Sequence, residues 1–427
     1  MMKIIKMLIN GFLPGISLII LAGCAAQSQV TSHAPSPTWP VTNTVLPPTL
    51  TSYPIQYPED FSVAQECISL AAAENNNFMS GGSLILYNWD THENYILEHS
   101  SLTPQLLLDG MKNVDVPASV GIRSLDVSPY DRTLHWRTDN RDSNEIYAEF
   151  LTPSLDHLKF RLPEKTMLST WLTDGRVMFS VFSALGDNEV EGQGTIDEFY
   201  VLSLHTGELT YYSVNLPMDI IHQDNFLVYH PSLSRVMISN PIVDGKSSFR
   251  AGLWDIQNEK FLWLGGGNKL SPGVSGPQRP NWQLDGSQAV YVLDTRELIS
   301  VSINGEQKIL TNFYTVFGSS ENTILFPRWS PTGRYISFQY YGSGPGRNSG
   351  DYFMDTQTNT VYDYCLHKDI ISGGIKWSPK GDQVIFIPED KSGLVIVNLP
   401  GGEVHNMAVA GGVETLALIG WVPWTLP

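Results

Sequence analysis

The chain has 427 residues and a formal charge of −17, with 42% hydrophobic and 11% aromatic content. A chain this acidic lacks the basic footprint that binding to nucleic acid, or to anionic lipid by charge alone, requires. Its 11 Trp, 18 Tyr, 36 Gly and 27 Pro favour strands and tight turns over helices.

Lys3 and Lys6 precede an apolar run from Met7 to Leu21, which closes on Leu21-Ala22-Gly23-Cys24. A basic start, a short apolar run and small residues form the layout of a secretory signal, and the run is too short for a comfortable span. The closing four residues resemble the lipobox of bacterial lipoproteins. The resemblance implies that Cys24 carries diacylglycerol and that cleavage just before it removes residues 1–23. Loss of Lys3 and Lys6 then takes the charge to −19. The expected place is the cell membrane or envelope, on the extracytoplasmic side, with the membrane as a partner through the lipid. Residues 24–58 are rich in Ser, Thr and Pro, including Pro35, Pro37, Pro40, Pro47, Pro48, Pro54 and Pro58. Proline removes backbone donors and fixes φ, so this stretch is expected to be an extended stalk.

Residues 59–427 carry an internal repeat. Trp329-Ser330-Pro331-Thr332-Gly333-Arg334 aligns with Trp377-Ser378-Pro379-Lys380-Gly381-Asp382. Weaker copies start at Trp171 and Trp282, degenerate ones at Val127 and Tyr229, and Trp421 begins a copy that stops after Val422-Pro423. The aromatic residue ends one strand, Pro and Gly shape a tight turn, and alternating apolar residues make the next strand. From Val127 to Trp421 the anchors step by 44, 58, 53, 47, 48 and 44 residues. Four strands with tight turns need roughly 40–45 residues, the size of a propeller blade. The fold class expected is therefore all-β, a β-propeller of seven four-stranded blades, with six as the alternative. One blade is expected to join both ends of the chain: a strand at Trp421, a strand pair near Ser83 to His99, and a remaining strand from Glu66 to Ala73. The repeat resembles that of the TolB-like propellers, with their Trp-Ser-Pro-Asp-Gly consensus, and more loosely that of WD-repeat proteins. The resemblance implies a propeller and carries over no partner.

No catalytic signature is present. There is no Gly-x-Ser-x-Gly elbow, no sialidase-type Asp-box and no phosphate loop at Gly342 to Arg347. The ten His are scattered, and the acidic stretch Asp187 to Glu191 with Asp197 lacks the ordered spacing of a calcium loop, so no metal and no cofactor is expected. Long insertions fall at Ser183 to Glu198, Pro241 to Arg250, Gly265 to Arg279 and Tyr341 to Asp351, all expected on one face. Tyr340, Tyr341, Arg250, Arg279 and Arg347 are the candidate contacts there. Asp126, Thr170, Asn281, Arg328 and Lys376, each just before an anchor, either rim the central channel or make hydrogen bonds between blades. Cys67 and Cys365 are either a disulfide or two thiols. The expected function is a binding scaffold for a protein, glycan or envelope component. The alternative is a hydrolase or lyase with its site in the channel.

Overall fold

A computed structural model of the chain describes residues 57–65, 67–68, 83–88, 93–98, 105–106, 123–140, 145–154, 156–163, 166–181, 195–216, 227–239, 242–243, 246–247, 251–264, 281–293, 297–313, 316, 323–341, 350–367, 371–388, 393–407, 409 and 416–422. All belong to one compact unit, Thr51–Pro427. Residues 1–56, with Cys24 and most of the expected stalk, lie outside the described residues.

The strands form seven antiparallel sheets of the same order, first to fourth. Blade 1 is Arg123–Val127, Leu134–Asn140, Glu145–Leu151 and His157–Leu162; blade 2 is Thr166–Leu172, Arg176–Val181, Thr195–Ser203 and Leu209–Ser213. Blade 3 is Leu227–Tyr229, Arg235–Ser239, Ala251–Asp255 and Lys260–Trp263; blade 4 is Asn281–Trp282, Gln288–Leu293, Glu297–Ser302 and Gln307–Ile309. Blade 5 is Thr323–Trp329, Tyr335–Tyr341, Gly350–Asp355 and Thr360–His367; blade 6 is Ile371–Trp377, Gln383–Pro388, Leu394–Asn398 and Val404–Met407. Blade 7 takes its first strand, Leu416–Val422, from the far end of the chain. Its other three are Ser83–Asn88, Glu93–Glu98 and Gln105–Leu106. The chain is a seven-bladed propeller, closed by pairing of its two ends.

Second strands are largely buried, Gln383–Pro388 entirely so, whereas fourth strands such as Leu209–Ser213 and Gln307–Ile309 are mostly exposed. The first strand of blade 7 touches the first strands of blades 6 and 1. First strands therefore line the axis and fourth strands form the perimeter.

The core is a set of slabs between neighbouring blades. Trp329 and Ile336 of blade 5 pack with Val290 and Leu298 of blade 4, and Trp282 of blade 4 packs with Met237 and Leu253 of blade 3. Trp421 and Leu84 of blade 7 pack with Ile385 and Ile396 of blade 6. Each anchor aromatic fills the gap to the blade before it, which is why one large apolar side chain recurs once per repeat.

The turn after each anchor is built as its residues predict. In blade 5 the Tyr335 N–H donates to Ser330 Oγ (3.0 Å) and the Gly333 N–H to the Ser330 carbonyl (2.9 Å). Blade 6 repeats both bonds with Gln383, Ser378 and Gly381. In the degenerate copy of blade 3, Leu233 holds the glycine place with φ +59°, while in blade 1 the left-handed residue is Arg132, one place later. Neighbouring turns are also bonded to each other. His230 of blade 3 meets the Gly286 carbonyl of blade 4 through Nε2 (2.8 Å), and Gln283 Nε2 donates to the Gly333 carbonyl of blade 5 (3.3 Å). Gly286 has φ +72°, and a Cβ there would press on the His230 ring. Gly286→Ala is therefore expected to lower unfolding stability by about 2 kcal/mol. Gly401→Ala, with open space around it, should change it by under about 0.5 kcal/mol. Chemical denaturation of the two variants checks this.

Two expectations about the ends need correction. The segment after Glu66 does not complete blade 7. Ser83–Asn88 is the second strand there and pairs directly with Leu416–Val422, Leu84 facing Trp421, so the remaining strand lies after the pair and not before it. Leu84, Ile85 and Leu86 are all fully buried, as only a middle strand requires. The short Gln105–Leu106 finishes the sheet. The N-terminal segment goes elsewhere. Ser62–Gln65 adds a fifth strand to blade 5, parallel to Thr360–His367, with Ser62 opposite Thr360. Phe61 packs edge-on against Phe313 (5.3 Å), and Asn359 Nδ2 donates to Asp60 (2.8 Å).

A Cys67–Cys365 disulfide fastens this strand, with Cα atoms 4.9 Å apart and a sequence separation of 298. Of the two readings of these cysteines, the bridge is the one observed. Closing so long a loop restricts the unfolded chain strongly. The Cys67→Ser/Cys365→Ser double variant is expected to lose about 3 kcal/mol, read as a lower urea midpoint under non-reducing conditions.

Candidate functional site

In blades 1, 2, 5, 6 and 7 the register between first and second strand slips. Each slip lies within a few residues of the anchor. In blade 2, Met178 faces Thr170 and Phe179 faces Leu168, so Ser169 is the extra residue. A bulge of this kind bends the strand and re-aims the side chains beside it. Asp126, Thr170, Arg328 and Lys376 therefore sit where the axial strands are kinked, whereas Asn281 stands in blade 4, which has no such slip.

Their environments differ. Asp126 lies opposite His135 in blade 1, next to its bulge. Thr170 is half-buried and donates to the Trp171 carbonyl (3.3 Å). Asn281 bolts two blades together, its Oδ1 accepting the Trp329 N–H at 2.9 Å. Lys376 is half-buried beside the bulge of blade 6. Arg328 is exposed on the axial strand of blade 5.

Blade 5 gathers more. In its bulge, Phe326 is 53% exposed and adopts φ +52°. Left-handed backbone suits glycine and is unusual for an aromatic residue. Arg328 pairs with Ser337, and Gln339 pairs with Asp351. Directly opposed residues share a face and alternate residues return to it, so Arg328, Ser337, Gln339, Tyr341 and Asp351 all lie on one side of the blade. Phe353 and Tyr335 continue that face into the cluster with Val384 and Phe386 of blade 6. The slab between blades 5 and 6 is thus apolar toward the tight turns and polar toward the opposite end.

Within this polar end the Tyr341 hydroxyl donates to Gln339 Oε1 (3.2 Å). Asp351 is only 6% exposed. Burial pushes its carboxyl up to about 6, against the opposing pull of the Arg328 guanidinium. A carboxylic acid tuned to that range beside a cation can accept or donate a hydrogen bond near neutral pH.

Of the surface contacts expected from sequence, Tyr341 stands in this polar end. Tyr340 does not belong to a surface: it is 1% exposed and packs with Phe313, Phe338 and Tyr352 in the slab facing blade 4. Adjacent residues of a strand point to opposite faces, so Tyr340 and Tyr341 cannot share one. Arg250, Arg279 and Arg347 lie outside the described residues. So does most of each insertion, but the flanking strands place three of the four between second and third strands and one between blades 3 and 4. Inside one of them Ile242–Val243 and Lys246–Ser247 form a two-stranded ribbon. Sequence reasoning missed Phe326, Gln339 and Asp351. The pair Phe326-Pro327 beside Arg328 was the available signal, since proline inside a strand marks a bulge or an edge. Among the described residues no group of three or more His, Cys, Asp and Glu side chains is placed to hold a metal ion.

No family model matches the chain, and no curated protein matches its sequence. Similar solved structures exist. TolB from Acinetobacter baumannii shares 14% identity, over 77% of this chain and 79% of that one, at a TM-score of 0.38. A putative TolB from Agrobacterium tumefaciens shares 16% identity, over 76% and 88%, at 0.31. An oligogalacturonate lyase in complex with manganese shares 10% identity, over 78% and 86%, at 0.43. At these values the blade count rests on the strand order of this chain itself.

Proposed function

We propose that the chain is a lipid-anchored, extracytoplasmic binding scaffold, which presents one face of its propeller to a protein, glycan or other envelope component. One observation carries this reading. The face made by the first-to-second turns bonds to itself from blade to blade, whereas the four long insertions spring from strand ends at the opposite face. Long loops gathered on a rigid frame are the usual way a propeller displays a binding surface. Deleting Gly342 to Gly350 together with Gly265 to Pro277 should leave the melting temperature within a few degrees and abolish partner capture. Capture that persists unchanged removes the face assignment.

The anchor rests on the sequence around Cys24. Membrane-partitioned protein labelled by palmitate is expected for the natural chain. Cys24→Ser should carry no label and keep residues 1–23. Label on that variant contradicts the assignment.

A channel enzyme of the hydrolase or lyase kind is the second reading, favoured by Arg328 standing near the buried Asp351. Turnover of a glycan, lactone or peptide that disappears in Arg328→Ala would replace the scaffold with it.

A further inference from the structure

We infer that the axial wall of blade 5 is a binding site for a carboxylate-bearing sugar, held by Phe326, Arg328, Gln339, Tyr341 and Asp351. The inference builds on the scaffold reading and names a ligand class for one part of that scaffold.

Phe326 is more than half exposed on the axial strand of blade 5, in a left-handed bulge. Exposure and backbone strain both work against stability, and glycine would serve the bulge better. What glycine lacks is the ring, a flat apolar platform for the carbon face of a pyranose. Arg328 is an exposed cation two residues away, in a chain where Asp and Glu outnumber Lys and Arg by 43 to 26. A guanidinium fork matches a carboxylate in two parallel hydrogen bonds. Asp351 is buried on the same face of the blade, opposite Gln339 and within the field of Arg328. In its neutral form it donates to the same ligand carboxylate, and in its ionised form it repels it. Gln339 spends its carbonyl oxygen on the Tyr341 hydroxyl, so its amide N–H groups face the site as donors for sugar hydroxyls. A neutral sugar offers the Arg328 guanidinium no carboxylate to pair with. A flat acid without hydroxyls leaves the Gln339 amide unmatched.

The groups facing Asp351 fix the direction of the pH effect. Arg328, on the first strand, is the charged group that acts on Asp351, Tyr341 shares its face from the second, Leu366 lies directly opposite on the fourth, and the blade 6 side chains packed around Leu366 in the same slab, Ile375, Trp377, Val384 and Phe386, are apolar. Burial lifts the Asp351 carboxyl to about 6, so binding of an anionic sugar should tighten as pH falls through that value.

The test is calorimetric titration of the full chain with a glucuronate tetrasaccharide and with the glucose tetrasaccharide of the same linkage. The acidic sugar is expected to bind at least about tenfold more tightly than the neutral one, and more tightly at pH 5.5 than at pH 7.5. Arg328→Ala should lose about tenfold or more. Asp351→Asn should bind the acidic sugar with no pH dependence across that interval. Phe326→Gly separates recognition from folding: its affinity should fall while its melting temperature stays or rises. Equal affinity for the two sugars, binding of neither, or an unchanged affinity in Arg328→Ala overturns the site. If these fail while deletion of the two insertions still abolishes partner capture, the sugar site falls and the scaffold stands.

Discussion

Ending the chain at Ile419 is expected to remove folded, soluble protein almost entirely. The truncation deletes Gly420, Trp421 and Val422, which pair with Ile85, Leu84 and Ser83. Trp421 is 1% exposed and sits in the slab between blades 6 and 7. Removing a core tryptophan side chain alone costs about 3–5 kcal/mol, a large part of the roughly 5–15 kcal/mol that holds a typical domain together. The loss also opens the ring. Ser83, Leu84 and Ile85 then lose their partners and offer a largely apolar stretch of open edge, which favours aggregation. Deleting Ala25 to Pro54 should cost about zero, because a stretch so rich in proline is expected to supply neither a strand nor core side chains. Soluble yield and thermal melting of the two truncations make the comparison. Similar tolerance of both would mean that closure does not depend on this strand.

The second large effect belongs to acid. His135 lies in the slab between blades 1 and 2, 1% exposed, against Phe150, Trp171 and Phe179. Neither ring nitrogen has a hydrogen-bond partner among the described residues. Burial, with Arg137 nearby, pushes its pKa down to about 3. The ring is therefore neutral in the folded protein at any ordinary pH. In the unfolded chain it takes up a proton near pH 6.5. The folded pKa is the lower one, so the unfolded state binds more protons between the two values and stability falls as pH falls. The loss begins near pH 6.5, reaches about 3 kcal/mol by pH 4.5 and saturates near 5 kcal/mol toward pH 3. Asp351 acts in the opposite sense. Its folded pKa, about 6, lies above the unfolded value. It holds a proton that the unfolded chain releases, and adds stability as pH falls from about 6 toward 4. His135→Phe isolates the first effect. Urea denaturation at pH 7 and pH 4.5 should show a much smaller loss in the variant than in the natural chain. Parallel losses would show that His135 is not the group that titrates.

Most of the frame could be read from the repeat because a blade needs one large residue and one tight turn at fixed places. Trp329, Trp377, Trp282 and Trp171 mark the slabs, and Gly333 and Gly381 mark the turns. The degenerate copies also turn left-handed there, Leu233 at the glycine place and Arg132 one place later, although glycine takes that backbone more readily. What escaped was pairing at edges. The fifth strand, Ser62–Gln65, joins blade 5 through backbone hydrogen bonds, and backbone bonding leaves no mark in residue type. Only Cys67 and Cys365 pointed to that contact. The closing blade was placed correctly but its remaining strand was sought before the Ser83–His99 pair and not after it, at Gln105–Leu106, since an apolar strand followed by a polar turn looks alike in either place. Of the candidate site, Arg328 and Tyr341 were legible as polar or aromatic residues at suggestive positions. Asp351 was not, because its character comes from burial by a neighbouring blade. Tyr340 was misplaced for a related reason: two consecutive tyrosines look equal in sequence, and the pleat assigns them to opposite slabs.

The strand that shuts the ring follows every other described strand in chain order, and its partner, Ser83–Asn88, is among the earliest. In blades 1 to 6 the four main strands are each local in sequence and can form one after another as the chain emerges. The seventh must wait. Until Leu416–Val422 arrives, the nascent molecule is an open arc with Ser83–Asn88 unsatisfied, and contacts between such distant segments form slowly. An exported chain would meet this interval outside the cytoplasm, so its yield should be limited by the time spent as an open arc, and any factor that shields that edge should act in the same compartment as closure.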